Sequence, residues 1–477
     1  MRLLTLRPLA MAALCLSLAA CGGGGDGGCS TCGFLASVPS APASGDTVPA
    51  QIPSAGDTAP AQFPPAGDTA PPTYAIGGAL TGLASNTKLV LLDNAGDALT
   101  LATNGAFSFA APVAFNTAYA VTVGTQPLWQ NCSVSNGSGT ATADVNSVQV
   151  TCIEAQAQVS TLAGSAAPGF ADDTGNAARF NSPDGIAVDP SGNVYVADFN
   201  NNRIRKITPA GVVTTWAGSG TAGFADDTGT AAQFNGPWGI AVDLSGNVYV
   251  AENINHKIRK ITPVGVVTTL AGSGTAGSAD GPGGTAQFNY PSGLAIDASG
   301  NVYVADDHMI RKITPNGVVS TLAGTTTSGS TDGAGLVARF NWPYSLTVDT
   351  SGNVYVADTW NHAIRKITPA GVVARFAGTG TAGSADGTSS NAQFSFPSSV
   401  AVDTSGNVYV SELGNHAIRK ITPAGVVTKL AGSGTAGLAD GIGTTAQFNN
   451  PWDVKLDAGD NLYVATDNAI RKITPVR

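Results

Sequence analysis

The feature that most constrains this chain is a six-fold internal repeat. A Gly-Asn-Val-Tyr-Val unit places its Asn at Asn193, Asn247, Asn301, Asn353 and Asn407, and an altered copy, Asp-Asn-Leu-Tyr-Val, places it at Asn461. The spacings are 54, 54, 52, 54 and 54 residues. One unit runs Gly239–Asp243, Asn247–Ala251, Lys257–Thr262 and Val266–Leu270. These read as four short strands, a to d, with Asp-x-Ser-Gly-Asn between a and b and Pro-x-Gly between c and d. Repeats of this length with four strands each imply an all-β propeller, one blade per repeat. Composition agrees, since 60 Gly and 27 Pro demand dense turns and leave little room for long helices.

The units resemble the NHL repeat, and the resemblance covers roughly 158–477. It implies a six-bladed ring. Gln158-Val-Ser-Thr-Leu-Ala-Gly164 matches a fourth strand but precedes the first full unit, and the sixth unit stops after its third strand. Val159–Leu162 is therefore expected to pair with Ile470–Ile473, completing the last blade and removing an open edge. The expected organisation is a signal peptide over 1–20, a lipidated tail and Pro/Ala-rich linker over 21–72, a small β domain over 73–153 and the propeller over 154–477.

The N-terminus carries Arg2 and Arg7 before a short apolar run ending Leu18-Ala19-Ala20-Cys21. This is a secretory signal pattern, and its end resembles the bacterial lipobox, which implies lipidation of Cys21 and a place in the cell envelope. Gly22 next to it points to the outer membrane of a Gram-negative cell; an ordinary secretory signal is the alternative. Export implies oxidising conditions. Local pairs Cys29/Cys32 and Cys132/Cys152 are the simplest disulfide arrangement, the first a C-x-x-C with no thioredoxin-like context. The segment around 37–72 repeats Gly-Asp-Thr at an 11-residue period and reads as an extended spacer. In 73–153, Lys88–Asp93, Ala106–Ala110 and Ala118–Val123 read as strands, with Asn104-Gly105 and Asn136-Gly137 as hairpin signals. The region resembles a small immunoglobulin-like or transthyretin-like β-sandwich.

Residues copied in every unit are expected to hold the fold. Asp172, Asp226, Asp280, Asp332, Asp386 and Asp440 recur in the d-to-a loops without the spaced oxygen ligands of a calcium loop, and turn or helix capping is the expectation. The four histidines, His256, His308, His362 and His416, occupy one repeat position. Equivalent points on adjacent sheets lie about 10 Å apart, too far for a shared zinc ion, so a hydrogen-bonding role is expected and no metal. The Ile-Arg-Lys pairs, Arg205/Lys206 through Arg471/Lys472, are expected to satisfy carboxylates at the end of strand b, such as Asp198, Glu252 and Asp306.

Positions that vary are the candidate site. After the Pro opening strand a stand Asp184, Trp238, Ser292, Tyr344, Ser398 and Trp452; the next position ends in Asp453; the preceding one includes Tyr290, Trp342 and Phe396. Aromatics with a few polar groups suit sugar, peptide or aromatic ligands. The other reading is that these rings wedge adjacent blades apart. The candidate ligand-binding set is Asp184, Trp238, Tyr290, Trp342, Tyr344, Phe396, Trp452 and Asp453. A net charge of −9 argues against nucleic acid. The expected function is a tethered, monomeric binding scaffold for a protein, peptide or glycan of the cell envelope, with no cofactor. A channel-mouth lactonase or lyase is the alternative.

Overall fold

The structure is a computed structural model and describes residues 70–477. The expected signal peptide, the Cys21 lipidation site, the expected Cys29/Cys32 pair and nearly all of the expected linker lie outside the described residues.

Each repeat folds into one antiparallel sheet in the order a-b-c-d. In blade 1 these strands are Pro183–Val188, Val194–Asp198, Arg203–Ile207 and Val213–Ala217. Every residue of strand b is buried, because each sheet is covered on both faces by neighbouring sheets. One apolar cluster fills each seam. Between blades 1 and 2 it joins Tyr195, Ala197 and Ile204 to Phe234, Ile240 and Val250. Phe234 is fully buried, and truncating such a ring costs about 3–5 kcal/mol. The Ala-x-Phe motif of the d-to-a loop is thus core, and Arg259 from strand c lies over that ring at 5.2 Å.

The a-to-b turn shows why its sequence repeats. Asp189 Oδ1 accepts from the Ser191 and Asn193 backbone N–H groups at 2.9 Å, and Oδ2 accepts from Asn193 Nδ2 at 2.8 Å. Gly192 takes φ 78°, a left-handed conformation that glycine adopts without penalty.

The ring closes as the strand arithmetic predicts. Ala157–Gly164 pairs with Ala469–Pro475, Val159 standing opposite Ile473, so blade 6 takes its outer strand from the start of the propeller and its other three from the end. Short loop segments such as Gly281–Pro282 lie along outer strands and cover those edges.

Residues 73–153 form two four-stranded sheets around one apolar cluster. The disulfide joins Cys132 and Cys152, which face each other on paired strands. Asn104-Gly105 and Asn136-Gly137 are not hairpin turns. Each connects strands of different sheets, and at the first corner the Asn104 amide clasps the Leu83 backbone N–H and C=O, both at 2.8 Å.

This small domain and the propeller form one compact unit. Trp129 is buried against Tyr409 and donates its indole N–H to the Asp460 carbonyl at 2.8 Å. Asn86 donates to the Ser405 carbonyl at 3.1 Å. Asp460 and Ser405 belong to a-to-b turns, so the small domain sits at the lower face of blades 5 and 6. The d-to-a and b-to-c connections form the opposite, upper face.

Candidate functional site

At the upper face, each residue before the Pro of strand a has positive φ: Ser182 52°, Gly236 63°, Tyr290 56°, Trp342 50°, Phe396 49° and Asn450 48°. This conformation turns the backbone N–H toward the previous blade. There a side chain from the b-to-c connection accepts it: Asn202 Oδ1 from Gly236 N–H (3.1 Å), His308 Nδ1 from Trp342 N–H (3.1 Å), His362 Nδ1 from Phe396 N–H (3.2 Å) and His416 Nδ1 from Asn450 N–H (3.4 Å). Three of the four histidines therefore tie blade to blade, one pair at a time, and Asn202 serves equally, whereas His256 Nδ1 is buried without a hydrogen-bond partner. An accepting Nδ1 places the proton on Nε2. Burial pulls His256, His362 and His416 below the usual histidine range, keeping them neutral at pH 7. His256 packs edge-on against Tyr290 at 5.6 Å. Among the described residues, no three His, Cys, Asp or Glu side chains are grouped to hold a metal ion.

Left-handed backbone costs a bulky residue roughly 1–2 kcal/mol. Gly236, Asn450 and Ser182 show that the fold needs no large side chain at this position. Tyr290, Trp342 and Phe396 nevertheless occupy it in three successive blades, half-buried and in a row, with Tyr290 and Trp342 at 6.1 Å.

Five of the eight candidate residues meet at the channel mouth. Asp184, Trp238, Tyr344, Trp452 and Asp453 line one cavity together with Lys455. Trp238 and Tyr344 touch edge to face at 6.0 Å, although they belong to blades 2 and 4. Blade 3, between them, carries the small Ser292 at the same position, buried and donating to the Ala305 and Pro343 carbonyls. Trp238 also rests on Phe199 at 5.5 Å. Trp452 donates its indole N–H to Asp467 Oδ1 at 3.0 Å. The cavity at the mouth has a volume of about 20 Å³, room for about one water molecule. Tyr290, Trp342 and Phe396 do not line this cavity; they form a separate outer arc.

Below the rings, the second position of strand a builds an inner belt. Gly185, Gly239 and Gly293 bring backbones together: a Cβ on Gly185 would strike the Trp238 carbonyl, one on Gly239 the Ser292 carbonyl, and one on Gly293 the Ser345 backbone. Blades 4 to 6 carry Ser345, Ser399 and Asp453 instead. Ser399 donates to Asp453 Oδ1 and lies 3.0 Å from Ser345 Oγ. Asp453 Oδ2 accepts from the Ile186 backbone N–H at 2.8 Å, and Lys455 Nζ donates to Oδ1. Both Asp453 oxygens are thus engaged on the inside of the ring, Oδ2 joining blade 6 to blade 1 and Oδ1 accepting from Ser399 of blade 5 and from Lys455 of its own blade.

Sequence reasoning missed Lys455 and Asp467. Lys455 stands where the other blades have Ala187, Ala241, Ala295, Thr347 and Ala401, so comparing the copies one position further along would have found it. Asp467 replaces no repeated acid, and nothing in the sequence couples it to Trp452.

The repeated loop aspartates do not cap turns or helices. Asp226 pairs with the buried Arg259, which also holds Glu252 at 2.8 Å, and Asp226 Oδ2 accepts from the Thr269 backbone N–H at 3.1 Å. The same clamp recurs in blades 1 to 5. Capping fails because the loop passes over strand c, where the arginine is buried and needs a second charge. The lysines follow another rule: Lys206 lies over the Tyr195 ring at 5.4 Å, and Lys260 over Tyr249 at 5.5 Å.

A ring of six such sheets, five of them with the full arginine clamp, defines the class: a β-propeller, in which four blades match the NHL repeat. Residues 180–207, 234–261, 340–367 and 394–421 match the NHL repeat, and 274–334 matches the teneurin NHL domain. The four NHL matches are strands a to c of blades 1, 2, 4 and 5; blades 3 and 6 have shorter b-to-c connections. The chain is 31% identical over 274 residues to the chloroplastic protein Suppressor of quenching 1 of Arabidopsis thaliana, covering 53% of this chain and 26% of that protein. It is 29% identical over 318 residues to NHL repeat-containing protein 2 of Bos taurus, covering 58% and 44%. The chain thus spans less than half the length of these relatives. An auxiliary nutrient binding protein from Bacteroides ovatus shares the fold at TM-score 0.51 and 16% identity, over 82% of this chain and 91% of that one.

Proposed function

We propose that this is an exported, Cys21-tethered NHL propeller that works as a monomeric binding scaffold, holding a glycan, peptide or protein of the cell envelope on its upper face without a cofactor. One observation carries the reading. Trp238 and Tyr344 meet edge to face at a cavity of only about 20 Å³, too small to surround a ligand, so the mouth offers a platform rather than a chamber. Partly exposed aromatic rings held by neighbours suit this use. Trp452 lies beside these rings, and Asp184 and Asp453 are buried in the lining of the same cavity. The small domain covers the lower face of blades 5 and 6 and leaves the platform open. The nutrient-binding neighbour agrees with a binding role.

The group Ser345, Ser399, Asp453 and Lys455 is the observation that favours a lactonase- or lyase-like alternative. Its bonds are those of a clasp: the carboxylate that would act as a base already accepts from Ser399, Lys455 and the Ile186 N–H.

The test uses the full protein recovered from membranes. Its N-terminal mass should show acyl additions on Cys21. In titrations with hexasaccharides and decapeptides, Trp238→Ser, which installs the residue of blades 3 and 5, should weaken binding about tenfold with the melting temperature nearly unchanged. His416→Ala should lower the melting temperature and leave affinity alone. Loss of binding in the His416 variant, with retention in the Trp238 variant, would overturn the site assignment.

A further inference from the structure

The outer aromatic arc is the feature that neither the repeat nor the channel mouth explains. Its rings sit on a strained backbone that Gly, Asn or Ser fills elsewhere in the same ring. Each ring is also pinned by a neighbour before any ligand arrives. His256 meets Tyr290 at 5.6 Å, His308 meets Trp342 at 5.3 Å, and His362 meets Phe396 at 4.6 Å, all edge to face. Trp360, on the b-to-c connection of blade 4, meets Phe396 at 5.5 Å and is 39% exposed. Rings fixed in this way lose little freedom on binding, which favours affinity.

We propose that this arc, Tyr290, Trp342, Phe396 and Trp360, is a second ligand track that takes an uncharged oligosaccharide chain. The proposal rests on the binding reading of the channel mouth and extends it outward. Charge selects the ligand class. Among the described residues, the lysines and arginines that stack on rings do so away from the arc, as Lys257 does on Phe224 and Arg365 on Phe340, so no stacked cation marks the arc for an anionic polymer. The acid beside it, Asp307, is 3.7 Å from His308 Nε2 and accepts from Asn289 Nδ2 at 3.1 Å. His256 and His362 are held neutral by burial. Neutral imidazole and amide edges between aromatic faces match a pyranose, whose C–H face stacks on a ring and whose hydroxyls both donate and accept.

Two observations favour a chain over a single sugar, and a glycan over a peptide. The rings lie on the connections into blades 3, 4 and 5, so the track is longer than one residue of ligand. An extended peptide gains most of its affinity from an unpaired strand edge; the upper face presents loops and strand ends, and Ala157–Gly164 closes the ring.

The test is calorimetric titration of the full chain with maltohexaose, cellohexaose, xylohexaose and chitohexaose, against hexagalacturonate and a proline-rich decapeptide. At least one neutral hexasaccharide should bind, more tightly than its disaccharide, and hexagalacturonate should not. Trp342→Ala and Trp360→Ala should each weaken it about 3- to 10-fold, and Trp360→Phe should restore most of the loss. The exposure of Trp360 keeps its melting temperature unchanged, so folding does not confuse the result. Preference for hexagalacturonate or the peptide, no binding of any neutral hexasaccharide, or indifference to both Trp variants would each overturn the proposal. If Trp238→Ser abolishes binding and the arc variants do not, the channel-mouth reading stands and the arc fails; the reverse pattern supports the arc alone.

Discussion

In blades 1 to 5 a buried arginine is held between two carboxylates; in blade 6 the inner carboxylate is absent. Arg471 keeps Asp440, but Thr466 stands where the others have Asp or Glu. The acid appears one residue later as Asp467 and holds the Trp452 indole. Blade 6 departs again at Asp453, which clasps blade 1, at Lys455, and at Asp460, which replaces the turn glycine of the other copies. The five regular blades show what one sheet needs to stack on the next. Blade 6 shows what the ring needs at the seam where two distant parts of the chain meet, and how Asp453, Lys455 and Asp467 gather around the mouth while Asp460 stands on the lower face under Trp129.

The strongest way to break the comparison is to open the seam. Removing residues 1–165 takes the outer strand from blade 6 and should yield aggregated protein. Removing 1–153 keeps that strand, loses the contacts of Trp129, Asn86 and Asn131 with the propeller, and should leave a soluble ring that melts a few degrees lower. Equal soluble yield and equal melting of the two would refute closure through Ala157–Gly164.

A smaller effect separates the two arginine environments. Arg259→Met strands the fully buried Glu252, and breaking a buried pair costs about 3–5 kcal/mol. Arg471→Met leaves only Asp440, half exposed, and should cost less than half as much in denaturant unfolding. Equal losses would mean that the inner carboxylate contributes nothing to the clamp.

The smallest effect sharpens the comparison by pH. Asp460 is 5% exposed, takes φ 52° and has its carboxyl pushed up to about 6 from 3.8 by burial and by Asp403 and Asp457. The folded protein therefore binds this proton more tightly than the unfolded chain does. Stability from this residue falls as pH rises from about 4 to 6, and the penalty is complete above that. Asp460→Gly should stabilise at pH 7 by about 1–3 kcal/mol, and most of the gain should vanish at pH 4. The Trp129 bond survives the change, since it goes to the backbone carbonyl. A gain that is the same at both pH values would show relief of backbone strain alone.

Much of this was legible from the copies themselves. The 54-residue period, the single 52-residue spacing, the odd fourth strand at Gln158–Gly164 and the Cys132/Cys152 pair all led to features the structure contains. Local pattern suffices there, because strands and turns are set by neighbours in sequence and repetition multiplies the signal. The loop aspartates were misread as caps because their arginine lies 33 residues away in blade 2, and no local pattern names such a partner. The eight candidate residues were picked for differing between blades, yet differing could not say which of them meet.

The sequence by itself determined the number of blades, their strand order and how the ring closes, since each follows from strand and turn motifs copied six times and from the extra fourth strand before the first copy. The tertiary structure decided which deviations converge. Asp453 reaches the Ile186 N–H across 267 residues, Trp129 reaches Asp460 across 331, and Trp238 finds Tyr344 two blades away. These contacts exist only once the ring has closed, because bending six sheets around one axis is what brings side chains from separate blades within reach.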